Sequence, residues 1–137
     1  MTFVLDCSIA IGAALPDEMI PLAVELMERA SREGAFVPAH WPLEVANALV
    51  MAVKRHRIDE EFARAALGNF AAIELAIDEE TSEAAWSAIP QIAFRSNLTT
   101  YDAAYLELAS RRGLPLATLD ARLVAAARAA GLQVLGV

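Results

Sequence analysis

Asp6, Glu44, Asp102 and Asp120 are the residues of this chain whose types and settings could do chemistry together. Asp6 closes the apolar run "FVLDCS", Glu44 lies in "PLEVANAL", Asp102 in "TTYDAAYLELA" and Asp120 in "ATLDARL". Each has a plain structural explanation when taken alone. Asp6 and Asp120 could cap helices, an effect worth around 1 kcal/mol. Glu44 could complement a helix dipole, and Thr99 and Asp102 have the three-residue spacing of a capping box. Taken together they say more. Four carboxylates brought within about 5 to 6 Å would repel by roughly 3 kcal/mol per pair at an effective dielectric near 20. Capping does not offset that, so a convergent set needs a shared cation or protons held through raised pKa values. Hard oxygen ligands of this kind suit Mg²⁺, with Mn²⁺ as a substitute.

The elements that would position these acids are legible from periodicity and punctuation. Residues 2–6 form a short apolar strand. A helix is expected over 17–32, opened by "PDE" with Pro16 ahead of it and closed at Gly34. "AFVP" gives a second strand, and "WPLEVANALVMAVKRHR" a helix with Pro42 in its first turn and basic residues 54–57 at its end. "IDEEFARAALGNF" reads as a helix capped by Asp59, and "AIELAI" as a third strand. Residues 81–94 are helical in composition, with Pro90 expected to end or kink the helix. "TTYDAAYLELASRRG" is a helix stopped at Gly113. Strand "LPLATL", helix "DARLVAAARAAG" stopped at Gly131, and strand "LQVLGV" over 132–137 complete the order. Alternating strands and helices predict a three-layer α/β/α sandwich around a mostly parallel, roughly five-stranded sheet, as a single domain over 1–137. Sites in such sheets form at the carboxyl ends of the strands, where the chain order reverses. All four acids occupy such ends.

Composition narrows the function classes. The 137 residues are 57% apolar, with mean hydropathy +0.41. No stretch reaches the roughly 18 uninterrupted apolar residues of a bilayer span, so no membrane association is expected and the apolar excess belongs in a core or on a partner. Nothing at the N-terminus reads as a secretory signal, and Cys7 is the sole cysteine, which together predict a cytoplasmic protein without an internal disulfide. The net charge of −7 opposes nucleic-acid binding through counterion release. It is compatible with nucleic acid only if the negative charge gathers around bound cations.

The four quoted segments, in this order and over nearly the whole chain, resemble the PIN domain, and most closely the small single-domain members that serve as VapC-type ribonuclease toxins of bacterial toxin-antitoxin pairs. The resemblance implies a Mg²⁺-dependent endoribonuclease leaving 5′-phosphate and 3′-hydroxyl ends, with catalytic and metal-binding positions falling on Asp6, Glu44, Asp102 and Asp120. Ser8, Asn47 and Thr118 are then expected to hydrogen-bond those acids; Asn47 lies three residues after Glu44 and can share its helix face. An RNA substrate, a VapB-like antitoxin and a homodimer are the implied partners. Arg95 and Arg122 are candidate substrate contacts, Arg122 being two residues past Asp120, while Arg111 and Arg112 read as helix-end cations. His40 and His56 are not required by the chemistry and are expected to be structural or exposed.

Rival classes lack key residues. Receiver domains and HAD-like phosphotransferases need a lysine after a later strand, and the sole lysine is Lys54; the HAD motif would also place Asp where Ser8 stands. No Gly-rich phosphate loop occurs. The remaining alternative is a catalytically silent PIN-like interaction module, for which the net charge and the apolar helix over 43–53 argue. That helix and "FARAALGNFAAI" are the expected docking or dimer face unless they are buried in the core.

Overall fold

A computed structural model describes residues 2–136. Five short strands form one sheet: β1 (Val4–Leu5), β2 (Phe36–Val37), β3 (Ala76–Ile77), β4 (Leu116–Ala117) and β5 (Val134–Leu135). Their order is β3-β2-β1-β4-β5, and every pairing is parallel. The sheet expected to be mostly parallel is therefore parallel throughout the described residues. Among the described residues eight helices connect and cover it: α1 (Cys7–Ala14), α2 (Pro21–Glu33), α3 (Trp41–Lys54), α4 (Glu60–Ala71), α5 (Thr81–Ala84), α6 (Ala88–Ser96), α7 (Thr100–Arg112) and α8 (Ala121–Ala129).

From β1 the chain steps outward through α1 and α2 to β2, and through α3 and α4 to β3. It then returns across the sheet through α5, α6 and α7 to β4, and leaves through α8 to β5. Right-handed crossovers put the outgoing and returning helices on opposite faces, which makes the expected α/β/α sandwich. The central strands are covered on both sides, and Phe3, Val4, Leu5, Leu116 and Ala117 are fully buried, as parallel strands require. The two strands in register at the centre, with Val4 opposite Leu116 and Leu5 opposite Ala117, send their chains toward opposite edges. That is the topological switch point, and Asp6 and Thr118 follow these register pairs directly.

Helix α7 lies against β1 and β4, flanked by α6 and α8. It is buried from Ala103 to Ala109; Ala103 and Ala104 pack against Ile89 of α6, and Ala109 belongs to the main core. Thr99 caps it by accepting the Asp102 N–H at 3.1 Å, and Gly113 ends it at φ 64°, so Asp102 is fixed in its first turn.

Several boundaries differ from the sequence expectations for physical reasons. Helix α1 was not anticipated. It is apolar nearly all round, so it carries no amphipathic period, yet Asp6 caps it by accepting the Ser8 N–H at 3.4 Å. The next helix starts at Pro21, not near residue 17. Asp17 and Glu18 precede it and bind Arg57 at 2.9 Å and 3.2 Å. Helix α3 stops at Lys54, because His56 turns to φ 59° and sends Arg57 to those two acids. The helix expected over 81–94 is two helices, and Pro90 lies in the first turn of α6, where its missing N–H costs nothing. Only Ala76 and Ile77 of "AIELAI" are strand. Of the strand expected over 132–137, Val134 and Leu135 are paired, and Val137 lies outside the described residues.

Candidate active site

The site is assembled around Asp6. Burial (5% exposed) is affordable for this carboxylate because hydroxyls meet it: Ser8 Oγ donates to Oδ2 at 2.5 Å and Thr118 Oγ1 donates to the same oxygen at 2.8 Å. The two hydroxyls lie 3.3 Å apart. Each also accepts from the β4–α8 turn, Ser8 Oγ from Leu119 N–H at 2.9 Å and Thr118 Oγ1 from Asp120 N–H at 3.0 Å. The ends of β1 and β4 are thus stitched together through side chains. Asp120 caps α8, its Oδ1 accepting the N–H groups of Arg122 at 2.9 Å and Leu123 at 3.4 Å.

Glu44 enters from the first turn of α3. Its Oε1 accepts from the buried Tyr105 hydroxyl at 2.5 Å and lies 3.1 Å from His40 Nε2. The same Nε2 is 3.1 Å from the carbonyl oxygen of Tyr101. Both neighbours are acceptors, so Nε2 is the nitrogen that carries the proton. The His40 ring packs edge-on to Tyr105 at 5.5 Å and tilted against Tyr101 at 5.9 Å. Helices α3 and α7 are clamped by this contact.

The acids feel one another. Burial, opposed by the Ser8 and Thr118 hydroxyls and reinforced by Glu44 and Asp102, pushes the Asp6 carboxyl up to about 6. Asp102 is half-buried, and its carboxyl is raised by burial and by the charges of Asp120 and Glu44, with Thr99 and His40 acting against the shift. Burial lowers His40, but the hydrogen bond and charge of Glu44, the Tyr101 carbonyl and Asp102 outweigh it, so its net shift is upward. Cys7 Sγ is pushed up by burial and by the nearby acids, which leaves it an inert thiol.

This donor set fits a hard divalent cation in its chemistry. Asp6 uses Oδ2, Asp120 Oδ1 and Glu44 Oε1 on the scaffold, and the partner oxygen of each accepts no hydrogen bond among the described residues. Three acids thus each keep one oxygen in reserve, beside an Asp102 raised by burial and by its neighbours' charge. Among the described residues no group of three or more His, Cys, Asp and Glu side chains is already drawn together as a metal site. Part of the reason is visible at Glu44, which Tyr105 and His40 hold from behind.

Other sequence candidates sit elsewhere. Asn47 is exposed on α3 and hydrogen-bonds none of the acids. Arg95 and Arg122 are exposed and line one groove of about 840 Å³ between α6, α7 and α8, with Ile92, Leu106 and Ala126 on its floor. Arg111 is not a simple helix-end cation: it binds Asp78 at 2.7 Å, Glu80 at 2.8 Å and Glu107 at 2.9 Å. Asp78 follows β3 as Asp6 follows β1, but Arg111 has claimed it. Burial opposes ionisation there, yet the Arg111 guanidinium and the Thr81 hydroxyl hold its carboxyl below the usual range. His40 and Tyr105 were not picked out as contacts of Glu44 from the sequence. Their spacing offered a signal, His40 four residues before Glu44 and Tyr105 three after Asp102, each on the same helix face as its acid.

The chain matches the PIN domain family over residues 3–129. It is 32% identical over 124 residues to ribonuclease VapC12 of Mycobacterium tuberculosis, covering 88% of each chain. The fold is similar to that of PAE2754 from Pyrobaculum aerophilum, at TM-score 0.67 and 22% identity over 92% of this chain and 84% of that one. It is also similar to VapBC2 from Rickettsia felis, in a structure bound to a promoter DNA fragment, at TM-score 0.67 and 12% identity over 98% and 97%. FitAcB from Neisseria gonorrhoeae gives TM-score 0.62 and 18% identity over 99% and 97%. The parallel sheet with acids gathered at its switch point, the family match along nearly the whole chain and the VapC relative agree: this chain belongs to the PIN domain family.

Proposed function

We propose that this protein is a Mg²⁺-dependent endoribonuclease, with Mn²⁺ as a substitute, acting as the toxin of a toxin-antitoxin pair. The observation that carries the proposal is a buried Asp6, held by Ser8 and Thr118 on one oxygen, at a switch point shared with Glu44, Asp102 and Asp120. The 32% identity to a ribonuclease supports the RNA substrate.

Asp6, Glu44, Asp102 and Asp120 would hold the cation. A bound Mg²⁺ supplies electrostatic stabilisation for the charge that develops on a phosphoryl group during hydrolysis. The protein's part is positional. Ser8 and Thr118 fix the direction of Asp6, the α8 N-terminus fixes Asp120, and Tyr105 with His40 restrains Glu44. These contacts hold acids of four different elements near the switch point, where a bound cation would relieve their mutual repulsion.

The partner proposals rest on the surface. Helix α3 buries Trp41, Val45, Leu49 and Ala52 but leaves Leu43 and Val50 exposed. A cavity of about 220 Å³ between α3, α4 and β3 is lined by Trp41, Val45, Phe70 and Ile77 among others. This apolar region is our proposed face for a VapB-like antitoxin or a second copy of the chain. No helix among the described residues is long and apolar enough to cross a membrane, and a cytoplasmic location is part of the same proposal.

The test is Mn²⁺ binding by calorimetry together with RNA cleavage, for the native chain and Asp102→Asn. Binding and cleavage that the variant loses support the nuclease. A native chain that neither binds Mn²⁺ at millimolar concentration nor cleaves RNA would instead be a silent PIN-like interaction module, the second reading, which the net charge of −7 favours.

A further inference from the structure

Three of the most exposed large apolar side chains of this protein are aromatic and fall close together in the sequence: Trp86 is 90% exposed, Phe94 87% and Tyr101 64%. Only Tyr101 adjoins the acidic cluster. It stands next to Asp102 in the first turn of α7, its carbonyl oxygen is within hydrogen-bond reach of His40 Nε2, and its ring lies against the His40 ring. His40 in turn reaches Glu44. An aromatic face in water, steadied from behind by a residue that touches the site, is preorganised for a flat partner. Phe94 continues the surface, lining a shallow groove with Leu98 and Thr100, the residue before Tyr101.

The charge balance favours a base over a phosphate as that flat partner. The chain carries −7, and Arg111, the cation of α7 most fully engaged, is occupied by three carboxylates. A net charge of this sign and size leaves little capacity for counterion-release binding. Stacking of unpaired bases on aromatic rings needs no cation and tolerates any sequence.

We propose that Tyr101 is a stacking platform for an unpaired nucleobase of the RNA, holding the strand so that its backbone crosses the acidic cluster. Phe94 is the next platform along the strand. The inference rests on the nuclease assignment and deepens it, naming a base-stacking surface beside the acids as what positions the substrate.

The experiment measures steady-state cleavage of a random-sequence single-stranded RNA pool with Mn²⁺ by the native chain, Tyr101→Ala and Tyr101→Phe, across a range of salt concentrations. Mn²⁺ calorimetry on each reports whether the acids are intact. The expected result is a KM raised roughly tenfold by Ala, within the range for lost base stacking. kcat should change less, Phe should restore KM, Mn²⁺ binding should be unaltered, and the native KM should respond weakly to salt. A 2-aminopurine-labelled single-stranded RNA should be quenched by the native chain and by Phe, and not by Ala. Native cleavage with an unchanged KM in Tyr101→Ala overturns the stacking role and leaves the nuclease assignment standing. The same holds if Tyr101→Ala keeps its KM but loses its hold on a protein partner, which would assign the surface to that partner. A native chain that cleaves no RNA removes the nuclease assignment and this inference with it.

Discussion

The Thr118 hydroxyl donates to Asp6 Oδ2 at 2.8 Å from a side chain that is fully buried, 112 residues away in sequence. Thr118 Oγ1 itself accepts the Asp120 N–H at 3.0 Å. One hydroxyl therefore sets two of the four acids, across the two central strands. Thr118→Val keeps the shape and removes both bonds. It should cost about 3 kcal/mol in urea unfolding, since a buried carboxylate loses one of its two hydroxyl donors and an N–H loses its acceptor. Thr118→Ser, which keeps the hydroxyl, should cost less than about half of that. If the acids bind Mn²⁺ as proposed, Val should also weaken binding by about tenfold or more.

Asp6 makes the stability of the metal-free protein fall with rising pH over a defined window. Its folded pKa of about 6 lies above the ordinary value of 3.8, so the folded chain binds more protons than the unfolded one between those values. The contribution is full below about pH 4 and is lost as pH rises through about 6. The loss is about 3 kcal/mol at 1.36 kcal/mol per pKa unit. Asp78, whose carboxyl is lowered, acts with the opposite sign: its support is present above about pH 4 and lost below it. Urea unfolding in EDTA from pH 4 to 7 should show the decline, and Asp6→Asn should flatten it. A native profile that rises across this window would contradict the assignment.

How far the sequence carried is clearest at particular residues. Asp6, Asp102 and Asp120 stood out because an apolar strand, a capping threonine and a strand-to-helix step each announce a fixed place in a parallel α/β fold. Ser8 and Thr118 followed, being short hydroxyl side chains two residues away from an acid. Helix α1 did not, because a helix apolar on every side has no period to detect. Asn47 was placed beside Glu44 by helical spacing, but spacing does not say which face turns to solvent. The Arg111 network joins residues 78, 80, 107 and 111, and only the folded sheet brings β3 and α7 together.

That network gives a stability prediction independent of function. The Asp78 side chain is 1% exposed and Arg111 is its cationic partner. Arg111→Met would strand a buried charge, which typically costs about 3 to 5 kcal/mol. The double variant Arg111→Met with Asp78→Asn should recover part of the loss, because one of the two buried charges that Arg111 neutralises is gone while that of Glu107 remains. Chemical unfolding of the single and double variants measures this. RNA cleavage by the double variant should remain near native, since neither residue adjoins the acidic cluster.

Gly136 supports the site from the far edge of the sheet, and a paired substitution separates two causes of strain. Gly131 and Gly136 have positive φ values of 79° and 109°, conformations that an L side chain adopts only at a cost. A Cβ at Gly131 would meet nothing within 4 Å, whereas at Gly136 it would lie 2.8 Å from the backbone oxygen of Thr118 and 3.4 Å from Ile9 Cδ1. Gly131→Ala should therefore lose about 1 kcal/mol, from φ alone. Gly136→Ala adds a clash with backbone that cannot rotate away, and should lose on the order of 3 kcal/mol. The clash bears on Thr118, which accepts from Asp120 and donates to Asp6. Gly136→Ala should thus also shift the pH window set by Asp6, and Gly131→Ala should not. Equal losses in the two variants, with the pH profile unmoved in both, would mean that β5 yields and that Thr118 does not depend on it.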